Sequence, residues 1–159
     1  MTKVVQAIKR ESKAIEKTLH PLVKEWFFNK FKDFSITQQY GVPAIWERKN
    51  ILISAPTGGT KTLTAFLSIL NYLVILAEKN ELDNRIYAVY TSPLKALSND
   101  VSKNLIEPLE EINKIAEKKG IKLQEIRVGL RTGDTTIAER AKMAKKAPHI
   151  LVTTPESLA

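Results

Sequence analysis

Apolar residues fall along this chain in two alternating rhythms, one helical and one of strand type, and the changes between them mark out the elements. Val4, Ala7, Ile8, Ala14, Ile15 and Leu19 recur at helical spacing among lysines and glutamates and predict an amphipathic helix over 3–18. Pro21 suits the first turn of a second helix, where Leu22, Val23, Trp26, Phe27 and Phe31 carry a large apolar load read as core rather than as a base-stacking platform. The chain breaks at Phe34-Ser35, and Ile36 to Glu47 is given no element. Ile51 to Ile53 is a short run of strand type. In the segment behind it, Leu63, Phe66, Leu67, Leu70, Tyr72, Leu73, Val74 and Leu76 surround a polar stripe of Thr64, Ser68 and Asn71, which predicts a largely buried helix.

Ile86 to Tyr90 reads as a strand, and Pro93 can open the helix that carries Leu94, Leu97, Val101, Leu105, Leu109 and Ile112. Pro108 should kink or split that helix, and Gly120 stops it. Ile126, Val128 and Leu130 alternate as a strand, Arg131 to Thr135 form a turn, and Thr135 or Thr136 caps a helix holding Ala138 to Lys145. His149 to Val152 is a further strand, after which Thr153-Thr154-Pro155-Glu156 opens a helix. Four strands alternating with helices predict an α/β domain, an open and mostly parallel sheet with helices on both faces. In such a sheet functional residues collect at the carboxyl ends of the strands, here the turns at 55–62, 91–97, 131–135 and 153–157.

The first of these turns carries the most chemistry. Strand, Pro/Gly-rich turn, Lys61, Thr62 and helix follow in the order of a phosphate-binding loop, Ala55-Pro56-Thr57-Gly58-Gly59-Thr60-Lys61-Thr62. Backbone N–H groups in a tight turn and at a helix N-terminus converge on one place, and an ammonium beside them adds full positive charge. Thr62 would place its hydroxyl on the magnesium that bridges the outer phosphates of ATP. The strict pattern asks for glycine where this chain has Ala55 and Thr60. Ala55 is harmless, but the residue before the lysine lies against the phosphates, where a Cβ takes room and a β-branched side chain resists left-handed backbone angles. Gly58 and Gly59 can compensate by moving the bend one residue earlier. Gln38, ahead of this loop, is a candidate adenine reader, because one amide both donates and accepts; its other reading is a surface glutamine.

Composition narrows the function without choosing it. With 159 residues, 43% of them hydrophobic and 26% charged, one domain with a real core is expected. The absence of cysteine excludes a disulfide framework and a Cys-based zinc site, and His20 and His149 do not suggest a metal centre. The apolar stretch Leu63 to Ala77 is broken by Thr64, Ser68 and Asn71, and Met1 to Arg10 lacks a signal-peptide core, so the expectation is a cytoplasmic protein without a membrane partner. A formal charge of +8 attracts polyanions such as nucleotides and nucleic acid. Half of that charge, a net +4, sits in residues 1–33, read as a helical appendage with a solvated basic face rather than an arm on nucleic acid.

In order and spacing, these turns resemble the motifs of the first motor domain of superfamily 2 helicases, and most of all the Lhr (large helicase-related) group. The resemblance rests on Phe31 to Pro43 around Gln38; on Ala55 to Thr62; on Ser92-Pro93-Leu94-Lys95-Ala96-Leu97 with Asn99-Asp100; on Arg131-Thr132-Gly133-Asp134-Thr135 with Glu139-Arg140; and on Ile150 to Leu158. It implies a RecA-like P-loop domain over 34–159, preceded by the helical segment 1–33. It implies that Gln38 recognises adenine, that Thr57, Gly58, Gly59, Thr60 and Lys61 hold the phosphates of ATP, and that Thr62 holds Mg2+. It further implies that Pro93, Leu94, Lys95, Arg131, Thr132, Gly133, Asp134, Thr153, Thr154, Pro155 and Glu156 line a path for single-stranded nucleic acid, DNA foremost. Contacts of that kind go mainly to the sugar-phosphate backbone, so binding should be salt-sensitive and sequence-tolerant.

The family pattern continues with Asp-Glu-X-His, which occurs nowhere in the sequence. The chain by itself is therefore expected to be a part of a motor, unable to hydrolyse ATP appreciably or to unwind a duplex, because the acidic pair would complete magnesium binding and position the attacking water. Two other readings stay open: a non-catalytic nucleic-acid-binding protein, and another P-loop enzyme such as a small-molecule kinase. The oligomeric state and the choice between DNA and RNA are open as well.

Overall fold

The computed structural model describes residues 3–56, 60–93 and 99–159. Its N-terminal helix is much shorter than the periodicity predicts: α1 spans Ser12–Glu16, and residues 3–10 are not helical. A short helix depends on packing for its stability, and Val4 in this stretch is 94% exposed with nothing to pack against. The stretch ends where the N–H of Arg10 donates to the carbonyl of Gln39 at 3.0 Å.

Helix α2, Pro21–Lys30, starts as the proline suggests, with His20 as N-cap accepting from the N–H of Leu22 through Nδ1 at 3.2 Å. Trp26 and Phe27 are buried, and Phe27 stacks on Phe34 with ring centroids 4.5 Å apart, so the aromatic load is core. Helix α3, Ile36–Trp46, occupies the stretch given no element. Its start is fixed by a capping box: the hydroxyl of Ser35 accepts from the N–H of Gln38 at 3.3 Å, and Oε1 of Gln38 accepts from the N–H of Ser35 at 2.8 Å.

Helix α4, Thr60–Glu78, is the centre of the packing. By length and composition it could cross a membrane, yet here Leu63, Phe66, Leu67, Leu70, Leu73 and Val74 are buried in the core. Its polar stripe is buried too, and each member is bonded. Thr64 Oγ1 donates to the Thr60 carbonyl at 2.5 Å, Ser68 Oγ to the Val42 carbonyl at 3.2 Å, and Asn71 Nδ2 to the Thr18 carbonyl at 2.9 Å. Asn71 Oδ1 also accepts from the N–H of His20 at 2.6 Å, so the stripe fastens the N-terminal helices to the core helix. Close approach of α3 to α4 requires Gly41, where a Cβ would lie 2.4 Å from Cγ2 of Thr64 and 3.0 Å from Cδ1 of Ile53.

Three parallel strands form the sheet: β1 Ala88–Thr91, β2 Val128–Arg131 and β3 Ile150–Thr153, in the order β1-β3-β2. Each begins one or two residues after its sequence-based start. The central β3 is buried along all four residues. The expected strand at Ile51–Ile53 has no ladder among the described residues, and Leu52 is 94% exposed. Apolar character alone does not make a strand, which exists only where a neighbour takes up its N–H and C=O groups.

Between β1 and β2, a π-turn at Ser102–Ile106 leads into α5, Glu107–Lys118, immediately before Pro108. The proline lacks the N–H that would close a regular turn, and the wider turn takes up the mismatch, so the expected split is present. Helix α6, Ile137–Lys145, has no buried residue and meets the sheet through Met143 and Pro148 at Gly129, where a Cβ would lie 2.8 Å from Pro148. A last turn, α7, spans Pro155–Leu158.

Candidate nucleotide and nucleic-acid site

Two aromatic contacts orient the phosphate loop against the sheet. Phe66 meets Tyr90 with ring centroids 5.0 Å apart, and Tyr72 meets Tyr87 at 6.2 Å. Later residues of α4 thus face earlier residues of β1, so the helix runs against the strand and its first residues, Thr60, Lys61 and Thr62, lie toward the strand's carboxyl end. The loop and the strand-end turns therefore share one edge of the domain, as an α/β site requires.

Within the loop, Thr57, Gly58 and Gly59 lie outside the described residues. Thr60 is the first residue of α4, and the non-glycine residues of positive φ are Arg48 and Asn80, so the left-handed strain expected at Thr60 is absent. Lys61 departs from expectation. Its ammonium does not stand clear in an anion cradle but donates to the carbonyls of Ala55 at 2.6 Å and Pro56 at 3.0 Å. An ammonium with three donors takes the acceptors within reach, and this turn offers two. Thr62 is half-buried beside it. Among the described residues no cluster of three or more His, Asp or Glu could hold a metal ion, so a magnesium here would take the Thr62 hydroxyl and the oxygens of the nucleotide itself.

Gln38 is buried rather than on the surface, and its carboxamide oxygen is committed to the cap of α3. That bond sets the orientation of the amide, with one lone pair of the oxygen used and the NH2 directed away from Ser35. A cavity of about 560 Å³ is lined by Trp46, Arg48, Ser68, Tyr72, Arg85 and Tyr87 among others, but not by Gln38, Lys61 or Thr62.

The sheet's carboxyl edge gathers most of the remaining candidates. Register places Thr91, Thr153 and Arg131 side by side across the three strands. Pro93, Arg131, Gly133, Asp134, Pro155 and Glu156 are exposed, whereas Thr132, Thr153 and Thr154 are buried and serve the turns that carry the others. Ser92 N–H donates to the Thr153 carbonyl at 3.3 Å, the N–H of Thr132 donates to Thr135 Oγ1 at 2.8 Å, and Thr154 Oγ1 donates to Ser157 Oγ at 3.1 Å. Leu94 and Lys95 lie outside the described residues.

Two positioning residues escaped the sequence reading. Arg140 holds the 132–135 turn by donating Nε to the Thr135 carbonyl at 3.1 Å, and Glu139 closes a capping box with Thr136. The Thr136 hydroxyl and amide hold the Glu139 carboxyl below its usual range. The Thr-x-x-Glu spacing of the second was visible in the sequence; nothing local announced the first.

Comparison with known proteins agrees with this geometry. The ATP-dependent helicase Lhr-Core of Methanocaldococcus jannaschii is 51% identical over 157 residues, covering 98% of this chain and 19% of the relative. The solved structure of the Mycobacterium smegmatis helicase Lhr bound to ssDNA and AMP-PNP superposes with a TM-score of 0.77 at 39% identity, over 91% of this chain and 18% of that one. The DEAD-box helicase Mss116, at 19% identity and a TM-score of 0.70 over 97% of this chain and 30% of that one, shares the RecA-like fold. The chain thus spans about a fifth of the length of the Lhr proteins it matches. Residues 35–159 match the DEAD/DEAH box helicase model, and the chain belongs to that family, with Lhr-type helicases among its relatives.

Proposed function

We propose that this chain is the ATP- and nucleic-acid-binding part of the first RecA-like motor domain of an Lhr-type, ATP-dependent DNA helicase acting in the cytoplasm. Residues 34–159 form the partial domain, and 1–33 form a helical appendage packed on it. The observation that carries this reading is the shared edge: α4 runs against β1, so Lys61 and Thr62 lie on the side of the sheet where Thr91, Thr153 and Arg131 stand in register. A nucleotide and a strand of nucleic acid held at one edge are close enough for one to control the grip on the other.

In this reading the first-turn amides of α4 and the Lys61 ammonium hold the phosphates, and Lys61 leaves the carbonyls of Ala55 and Pro56 to do so. Gln38, aligned by its bond to Ser35, presents its NH2 toward the base. Magnesium, held by Thr62, neutralises charge on the outer phosphates. The turns at 92–93, 131–134 and 154–156 bind the backbone of single-stranded DNA. The bound ssDNA and AMP-PNP of the M. smegmatis relative support both ligands.

The test is equilibrium titration of the chain with AMP-PNP in the presence of Mg2+ and, separately, with a fluorescent single-stranded oligonucleotide. Lys61→Ala is expected to abolish nucleotide binding and leave oligonucleotide binding intact. Nucleotide affinity equal in Lys61→Ala and the unsubstituted chain would overturn the assignment of the phosphate site.

A further inference from the structure

We infer that Thr60 sets the nucleotide affinity of this loop and holds it low, an inference that rests on the phosphate-binding reading above. The residue before the loop lysine is where a phosphate oxygen comes nearest the backbone, and there this chain presents a branched side chain. Thr60 is helical, so it suffers no backbone strain that would push it aside. It is also pinned. Its carbonyl accepts from Thr64 Oγ1 at 2.5 Å, and Thr64 is in turn wedged against Gly41, where even a Cβ would come within 2.4 Å of Cγ2. The first turn of α4 therefore cannot unwind cheaply to make room, because unwinding would break the Thr64 bond and open the α3–α4 contact.

The neighbouring residue acts in the same direction. Lys61 is bonded to two carbonyls of its own loop, so an incoming phosphate must exchange two existing hydrogen bonds for its own, beside a side chain that restricts its approach. Removing the Thr60 side chain relieves the crowding without touching the lysine.

Titration of the whole chain with AMP-PNP and Mg2+ tests this through three variants. Thr60→Gly is expected to bind about tenfold more tightly than the unsubstituted chain, a difference of about 1.4 kcal/mol. Thr60→Ser, which keeps the hydroxyl and the helix but drops the methyl, is expected to fall between the two, and it carries the test if Thr60→Gly melts early. Lys61→Ala is the non-binding reference. An unsubstituted chain that already binds as tightly as both Thr60 variants would overturn the role of Thr60 alone. Silence from all of them at millimolar nucleotide would overturn the phosphate site together with it.

Discussion

The N–H of Arg10 donates to the carbonyl of Gln39 at 3.0 Å, and Gln39 stands four residues before Pro43. Pro43 lies inside α3 and has no N–H, so the helix cannot satisfy that carbonyl itself. The extended N-terminal stretch supplies the missing donor from outside. This explains how a helix tolerates an internal proline and why residues 3–10, though not helical, are held at one end.

Deleting residues 1–10 should therefore cost about 1 kcal/mol of unfolding free energy, the worth of one hydrogen bond. Pro43→Ala in the deleted chain restores a helical donor to Gln39 and should recover most of the loss. In the full chain the same substitution should do much less. Urea melts of the four proteins measure this coupling, and additive effects would show that the Arg10 bond carries no weight.

Gly41→Ala offers a sharper probe of the α3–α4 contact. The added Cβ meets Cγ2 of Thr64 at 2.4 Å, a packed branch of a buried side chain, so the expected cost is about 1–3 kcal/mol. Thr64→Ser removes that methyl and keeps the hydroxyl bonded to the Thr60 carbonyl. In the Thr64→Ser background Gly41→Ala should cost markedly less, as read by the midpoint of denaturant unfolding.

The contrast between α3 and α4 shows what the sequence could reveal. Helix α4 is legible from its apolar rhythm alone, and so is the stripe whose burial makes Asn71 a fastener of α2. Helix α3 hides because Gly41 and Pro43 read as breakers, although Ser35-x-x-Gln38 announces its start. The N-terminal helix fails for the opposite reason: its spacing is right, but Val4 and Ile8 find no surface to cover. The strands at 88–91, 128–131 and 150–153 were legible because each sits between turns. Ile51–Ile53 looks the same in sequence and differs only in lacking a partner. At the site, residue types and order were readable; the bonds of Lys61 and of Gln38 Oε1 depend on where folding places carbonyls and amides, and no pattern encodes that.

His149 predicts a pH response of the fold. It is buried with Nδ1 accepting from the N–H of Arg127 at 3.0 Å, and burial, with the Arg127 charge next, lowers its pKa below 6.5. The Asp83 backbone and Glu125 oppose the shift, and Lys146 adds to it. The unfolded chain then binds a proton that the folded chain refuses, so stability is fully present above pH 6.5 and declines as pH falls toward the lowered value. Urea midpoints between pH 7.5 and 5 should fall for the unsubstituted chain and change less for His149→Gln. Parallel slopes would show that other groups carry the response.

The strand-end site predicts how nucleic acid should be held. Arg131 is exposed at the end of β2, level with Thr153 and Thr91, on the edge shared with the phosphate loop. A contact there to a phosphate releases counterions, and for single strands the slope of log affinity against log salt falls by about 0.7 for each such contact. Arg131→Ala should weaken binding of an oligonucleotide by a similar factor for different base sequences and make the salt slope shallower by about that amount. Lys118 provides the comparison: it removes the same charge from the last turn of α5, which runs back toward the strands' amino ends before β2 begins. Lys118→Ala should leave the slope unchanged. Equal losses in both variants would mean that affinity follows the overall charge of +8 rather than a path along the sheet's carboxyl edge.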